Sequence, residues 1–292
     1  MRTSLRWLSA GTIATWTLVV IAASADSAPV YKDPMPFREY PSFEGDDAAA
    51  ELPADWQVPG ELVVGRLMYP SASGGRGFFG GGYDWHEGGT GWTDDYPRGD
   101  RDLIKMIRRN TRINVRAVEQ PVSLDDGDDI YYWPFLVAGL AQSWNLSERQ
   151  AATLREYLER GGFLFCDSFF NENNWDVYEE SLKRVFPTRD IIDLKDEEVV
   201  FHVAFDLKGM TKVSIPHISM AFGGGRGGFG GMDGPPHWRG VFDDAGRLMV
   251  LIAHNNDVGD GWQWADDPRY PADEANRALR IGSNVAVYAM TH

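Results

Sequence analysis

The sequence predicts an α/β domain built on a mostly parallel sheet with helices on both faces. Three observations carry that expectation. The apolar runs are continuous rather than alternating, as in Phe163-Leu164-Phe165-Cys166; helical patterns alternate with them from residue 62 onward; and the single cysteine leaves a hydrophobic core as the source of stability. A continuous apolar run must be buried on both sides, which a parallel sheet covered by crossover helices achieves.

Taken in order, Leu62 to Tyr69 reads as a buried strand stopped by Pro70. Asp100 is placed to cap a helix with Leu103, Ile104 and Ile107 on one face. Ile113 to Val118 is expected as the second strand and Tyr131 to Leu140 as the third. Ser147 and Gln150 have the capping-box spacing, Leu146 and Ala151 occupy the staple positions, and Leu154 and Leu158 continue the inward stripe until Gly161-Gly162 ends the helix. The strand Phe163 to Cys166 follows. A helix from about Asn174 to Phe186 turns Tyr178, Leu182 and Val185 inward, with Pro187 beyond its end. Gly240 to Phe242 should pair with Arg247 to Ala253 through the turn Asp243-Asp244-Ala245-Gly246. The last helix carries Ala275, Ala278, Leu279, Gly282, Val285 and Ala289, small residues suited to close packing on a sheet.

The N-terminus reads differently. Arg2 and Arg6 precede an apolar stretch from Leu8 to Ala22, and Ala23-Ser24-Ala25 gives the small-residue pattern of a cleavage site. Residues 1–25 are therefore expected to be a secretory signal, and the chain to be exported to a periplasmic or extracellular space. The stretch falls below the roughly 20 apolar residues of a spanning helix, although an uncleaved anchor is the competing reading. No membrane span is expected after cleavage. Residues 26–60, rich in Pro, Asp and Ala, read as an extension lying on the surface or partly disordered, and residues 61–292 as one domain. Two glycine-rich inserts, 74–82 and 223–231, interrupt it. Both contain Gly-Gly-Arg-Gly, and neither has the Gly-Lys-Ser/Thr of a phosphate loop, so they read as surface loops or a pair of lids.

The chain has 43 acidic and 28 basic residues, a formal charge of -15. A field of that sign repels phosphate backbones and anionic lipid, which argues against a nucleic-acid partner.

In open α/β sheets, ligands bind beyond the carboxyl ends of the strands. The polar residues at those positions are the candidates. Asp167, His254 and Asp257 are candidate acid–base groups; Asp84, Trp85, Ser168, Trp262 and Trp264 are candidate ligand contacts, since loop tryptophans beside Asp and Asn can stack on a sugar face. The competing reading for each is turn building, capping or loop anchoring. His86 and Glu87 lack a zinc-type spacing, so no metal or other cofactor is expected. Cys166 has no flanking glycines to make a nucleophile elbow, and its neighbour Asp167 would raise its thiol pKa; it reads as a core cysteine. His202 is expected to hydrogen-bond within the fold.

Several segments, taken together, resemble the bacterial family called domain of unknown function 4159. They are Gly82-Tyr83-Asp84-Trp85, Leu158 through Asp167, Lys183 to Pro187, Val200-Phe201-His202, Arg239 to Asp244, Arg247 to Val250, His254 through Trp262, and Val287 to His292. The resemblance spans roughly residues 60–292. It implies a fold similar to the class I glutamine amidotransferases, a flavodoxin-like doubly wound sheet, and no established activity. Asp167 keeps the family's acidic residue after the strand, but Ser168-Phe169-Phe170 lacks the histidine often found there.

The function expected on these grounds is binding of a small molecule, glycan or protein partner, without classical amidotransferase catalysis. The alternative is a hydrolase acting on a saccharide or cell-wall-type substrate, with Asp167, Asp257 or Asp84 as general acid or base and His254 assisting.

Overall fold

The computed structural model describes residues 33–71, 84–221 and 234–292. The expected signal segment and both glycine-rich inserts lie outside the described residues. In chain order the elements are β1 (Val64–Met68), α1 (Arg98–Asn110), β2 (Gln120–Ser123), β3 (Phe135–Ala138), α2 (Glu148–Glu159), β4 (Phe163–Phe169), α3 (Asn171–Val185) and β5 (Ile192–Asp193), then α4 (Ile218–Ala221), β6 (His237–Phe242), β7 (Leu248–His254), α5 (Val258–Gln263) and α6 (Ala272–Thr291). Among the described residues the strands form one seven-stranded sheet of order β2-β1-β3-β4-β7-β6-β5. The first five of that order run parallel, and β6 and β5 continue it antiparallel. The architecture is α/β on a mixed sheet.

Side chains alternate between the faces of a strand, and β4 and β7 show what that does here. Leu164, Cys166 and Ile252 join a core with Leu154 and Leu158 of α2 and Tyr178 and Leu182 of α3. Phe163, Phe165, Leu251 and Ala253 join the opposite core, with Leu103 and Ile107 of α1, Trp262 of α5 and Ile281 and Val285 of α6. Helices therefore cover both faces.

Several expectations change. The segment Ile113 to Val118 is not a strand; it contributes one isolated bridge, Val115 to Leu62. Arg116 occupies nearby carbonyls with its own guanidinium, donating to Val118 O at 2.9 Å and also to Glu119 O. The strand forms later, as β2 at the sheet's edge, where Pro121 costs no ladder bond. Tyr131 and Tyr132 sit in a 3-10 turn, so β3 begins only at Phe135. Asp100 does not cap α1; Pro97 holds that position and Asp100 pairs with buried Arg66 of β1. The small residues of α6 serve helix–helix contact: a Cβ on Gly282 would collide with Leu103 of α1 and Trp262 of α5.

The segment before β1 is tied down from its first described residues. The Met35 amide donates to Asp129 Oδ1 at 2.7 Å, Glu39 pairs with buried Arg101, and Tyr40 meets Trp92 edge-on at 5.2 Å between centroids. This carries Phe43, Glu44 and Asp47 to the carboxyl ends of the parallel strands. Among the described residues, no helix is long and apolar enough to cross a membrane.

Candidate functional site

The site is built where β4 leaves the sheet. Asp167 and Ser168 fall inside the strand, but Ser168 has φ +63°, and the register with β7 shifts between Cys166 and Phe169. A side chain in left-handed backbone costs about 1–2 kcal/mol. Asp95, in the loop before α1, is held similarly at φ +60°. Such strain persists only where the surroundings over-determine it, and it concentrates at functional sites.

The result is a convergence on one hydroxyl. Ser168 Oγ lies 3.1 Å from Asp257 Oδ1, 3.2 Å from Asp95 Oδ2 and 3.4 Å from Asp167 Oδ2. One hydroxyl has one proton to donate, and an ionised carboxylate only accepts. The three carboxyl groups cannot all be ionised and all be satisfied by Ser168.

Backbone amides fix two of the three carboxylates, Asp167 and Asp257. Asp167 Oδ2 accepts the Gly259 amide at 2.7 Å. Asp257 caps α5, accepting the Asp260 amide at 3.2 Å. Asp260 in turn accepts the Ile218 amide at 2.5 Å and the Trp264 indole N–H at 3.1 Å. Glu44 Oε2, from the N-terminal segment, accepts the Asp95 amide at 2.9 Å. Gly259 is required here, because a Cβ on it would fall on the Asp95 carboxylate.

Burial sets the electrostatics. It raises the carboxyls of Asp94, Asp95, Asp257 and Asp260 well above the usual range, with neighbouring carboxylates adding to the shift. Burial also raises Glu44, and pushes Asp167 up to about 7 against the opposing pull of the Gly259 amide. The field of Arg66 acts the other way on Asp94 and Asp95, but two of its nitrogens are committed to Asp100.

A cavity of about 360 Å³ opens on this group, between Glu44, Asp94, Ser168, His217 and Asp257 on its polar side and Phe43, Phe170, Leu140 and Ile218 on its apolar side. Asp167, Ser168 and Asp257 are thus brought together as the sequence suggested. The other candidates are not. His254 projects from the opposite face of the sheet, where it stacks with Phe169 and lies against Trp175 of α3. Its Nδ1 accepts from Arg239 at 3.1 Å and its Nε2 donates to Asn171 O at 3.0 Å. Asp84 is exposed and bonds to His86. Trp85 stacks on His86, and its carbonyl accepts the Trp92 indole N–H. Trp262 is fully buried with its N–H on Ala278 O, and Trp264 backs onto Asp260 under the Arg98 guanidinium. These tryptophans anchor loops and helices and do not line the cavity.

His202 bonds within the fold, to Asp206 and to Asp196 O. Cys166 is buried on the α2–α3 face, and burial pushes its thiol up to about 12. No sequence signal pointed to Glu44 or His217; Asp94 and Asp95 read as a solvated polar loop, and Asp260 only as part of the polar run around Trp262. Asp94-Asp95 carried a usable signal, an acidic pair just ahead of a helix following the first strand. Glu44 carried none.

The fold and the site together define an α/β protein with a buried acidic cavity at the carboxyl ends of its parallel strands. The profile of the family described as a domain of unknown function, DUF4159, matches residues 83–290, and the chain belongs to that family. No curated protein matches the chain.

Proposed function

We propose that the chain is an exported binding protein of flavodoxin-like, amidotransferase-type architecture. It takes a small ligand bearing hydroxyl or amine groups into the acidic cavity and performs no amidotransferase chemistry. The order β2-β1-β3-β4-β7 of the parallel strands supports the flavodoxin-like reading, since it is the doubly wound order whose ligands sit at the strands' carboxyl ends. The n-region, apolar stretch and small-residue site of residues 1–25 support export. The buried, thiol-protonated Cys166 argues against a cysteine nucleophile.

The observation that carries the binding reading is the convergence of Asp95, Asp167 and Asp257 on Ser168 beside a cavity with an apolar wall. A few fixed polar groups set against apolar surface are what a small-molecule pocket needs. A thermal-shift screen of sugars, amino sugars and small amines, followed by calorimetry, tests it. A ligand should bind about tenfold or more weakly to Ser168→Ala and Asp257→Asn, and unchanged to the exposed variant Asp84→Asn. Equal loss in all three variants, or no ligand in the screen, counts against the cavity.

The alternative, a saccharide hydrolase, is favoured by one specific feature: Asp167 and Asp257 meet at the same hydroxyl, so one can stay protonated as acid while the other acts as base. Turnover of chromogenic glycosides or cell-wall fragments that falls by about 10² or more in Asp167→Asn would establish it.

A further inference from the structure

Side chains alternate along a strand, so Ser168, two residues beyond Cys166, would be expected to point with it into the α2–α3 core. It does not. The left-handed backbone of Ser168 (φ +63°) and the register shift between Cys166 and Phe169 mark a bulge-like irregularity, and Phe169 joins the core that holds Cys166. Such an irregularity re-aims a side chain. Here it brings Ser168 to the cavity of about 360 Å³, whose wall it shares with Asp257. Ser168 Oγ lies 3.1 Å from Asp257 Oδ1, and that carboxylate is itself held by the Asp260 amide at 3.2 Å. A hydroxyl at a strained strand exit, a carboxylate within hydrogen-bond reach of it and a third group orienting that carboxylate are the parts of an activated nucleophile and its base.

The walls select what can reach that oxygen. Phe43, Leu140, Phe170 and Ile218 give an apolar side that suits a short hydrocarbon group. Glu44, Asp47, Asp94 and Asp257 lie on the polar side, and among the described residues no lysine or arginine lines the cavity. An anionic substrate would meet like charge on entry. The acyl groups admitted therefore carry no negative charge. The oxyanion formed when a nucleophile adds to a carbonyl needs a donor. Asp94 lines the same cavity, close enough to Ser168 for the hydroxyl to bear on its carboxyl, and burial favours the protonated form, which can donate.

We propose that Ser168 is the nucleophile of an acyl-transfer centre, with Asp257 as its general base, acting on small carboxylic esters whose acyl group bears no negative charge. Ser168 Oγ bonds to the acyl carbon as its proton passes to Asp257 Oδ1. The carbon–oxygen bond to the leaving group then breaks, and the leaving oxygen takes that proton from Asp257 and departs as an alcohol. Water adds to the acyl carbon now held on Ser168 and gives a proton to Asp257. The carboxylic acid departs, and the proton returns to Ser168 Oγ. Esters are named rather than amides because an alkoxide leaves more readily than an amide nitrogen. The inference rests on the cavity reading above and goes beyond it, from holding a ligand to cleaving one. The two fail separately. A ligand that binds in the thermal-shift screen while Ser168 stays inert counts against the nucleophile alone. Acylation of Ser168 with no ligand found in the screen counts against the hydroxyl- or amine-bearing ligand alone.

The test uses the full chain and two probes, a fluorophosphonate, which phosphonylates activated serines, and p-nitrophenyl acetate. Adducts are read by intact and peptide mass from about pH 4 to pH 8, the span in which buried carboxyls titrate. A single adduct per chain is expected, on Ser168, and p-nitrophenol should be released as the acetyl adduct forms. Ser168→Ala should take up neither probe while still unfolding in one cooperative transition. Asp257→Asn keeps a residue able to cap α5 and should slow phosphonylation about 10²-fold or more. The exposed Asp84→Asn should match wild type. The acetate ester should turn over about tenfold or more faster than the hemisuccinate, whose acyl group is anionic. If Asp257→Asn does not fold, Ser168→Cys supplies a second reading: the new sulfur should be acetylated and buried Cys166 should not. No adduct on Ser168 from either probe across that pH range overturns the proposal. So does labelling that persists in Ser168→Ala or is equally fast in Asp257→Asn, which would mark chance acylation of surface side chains.

Discussion

Arg66 and Asp100 form a two-pronged ion pair, Nε to Oδ2 at 3.1 Å and Nη2 to Oδ1 at 2.8 Å, with both side chains buried. The pair ties β1 to α1, and the remaining nitrogen, Nη1, donates to Asp94 O at 3.2 Å. One guanidinium therefore clamps the loop that brings Asp94 to the cavity wall and Asp95 to the Ser168 hydroxyl.

Breaking this pair from one side leaves a buried charge. Asp100→Ala is expected to cost about 3–5 kcal/mol in urea unfolding. Arg66→Met combined with Asp100→Leu should recover most of that loss, because a buried pair and an apolar replacement of similar volume are often close in stability. Additivity of the two single changes to within about 0.5 kcal/mol would show that the residues are not coupled.

His254 should make stability fall in mild acid. Burial, with smaller contributions from Arg239 and His237, holds its imidazole down to about 4 from 6.5. Above pH 6.5 the ring is neutral in both folded and unfolded chains and has no effect. Between 6.5 and 4 the unfolded chain takes up a proton that the folded one refuses, so stability is lost as pH falls through that window. The loss approaches about 3 kcal/mol, the shift at 1.36 kcal/mol per pH unit. Unfolding curves at pH 7 and pH 4.5 should differ less for His254→Phe than for wild type; identical differences would assign the acid sensitivity elsewhere.

Gly259→Ala should strike the site through Asp95. The added methyl falls on the Asp95 carboxylate, which is buried and has little room to retreat. The expected cost is about 1–3 kcal/mol, with any ligand bound in the cavity lost as well. A variant of wild-type Tm that binds normally would mean that the contact relaxes freely.

Cys166 should resist alkylation in the folded protein and react once denaturant is added, since its thiol is both buried and kept protonated. Rapid native-state labelling would reopen the question of a nucleophile.

Local signals in the sequence translated well. The α2 capping box is present as spaced: the Gln150 amide reaches Ser147 Oγ at 3.2 Å and the Ser147 amide reaches Gln150 Oε1 at 2.9 Å. Asp167, Ser168 and Asp257 were legible by position alone, because they follow apolar runs that end at one rim. His254 was not. It precedes Asp257 by three residues, but strand alternation turns it to the far face before the chain bends back at α5. Six residues of α5 are too few to show a helical period, so Trp262 and Trp264 read as loop aromatics when they are packing groups. Asp95 is buried, and its amide is taken by Glu44, some fifty positions earlier, a contact that no local pattern could reveal.

The stretch shared with the family starts at residue 83, after β1 and after Phe43, Glu44 and Asp47. A protein trimmed to that boundary would lose a strand paired on both sides, splitting β2 from β3, and would keep Asp95, Asp167 and Asp257 with one wall of their chamber gone. The folding unit is larger than the signature by which it is recognised.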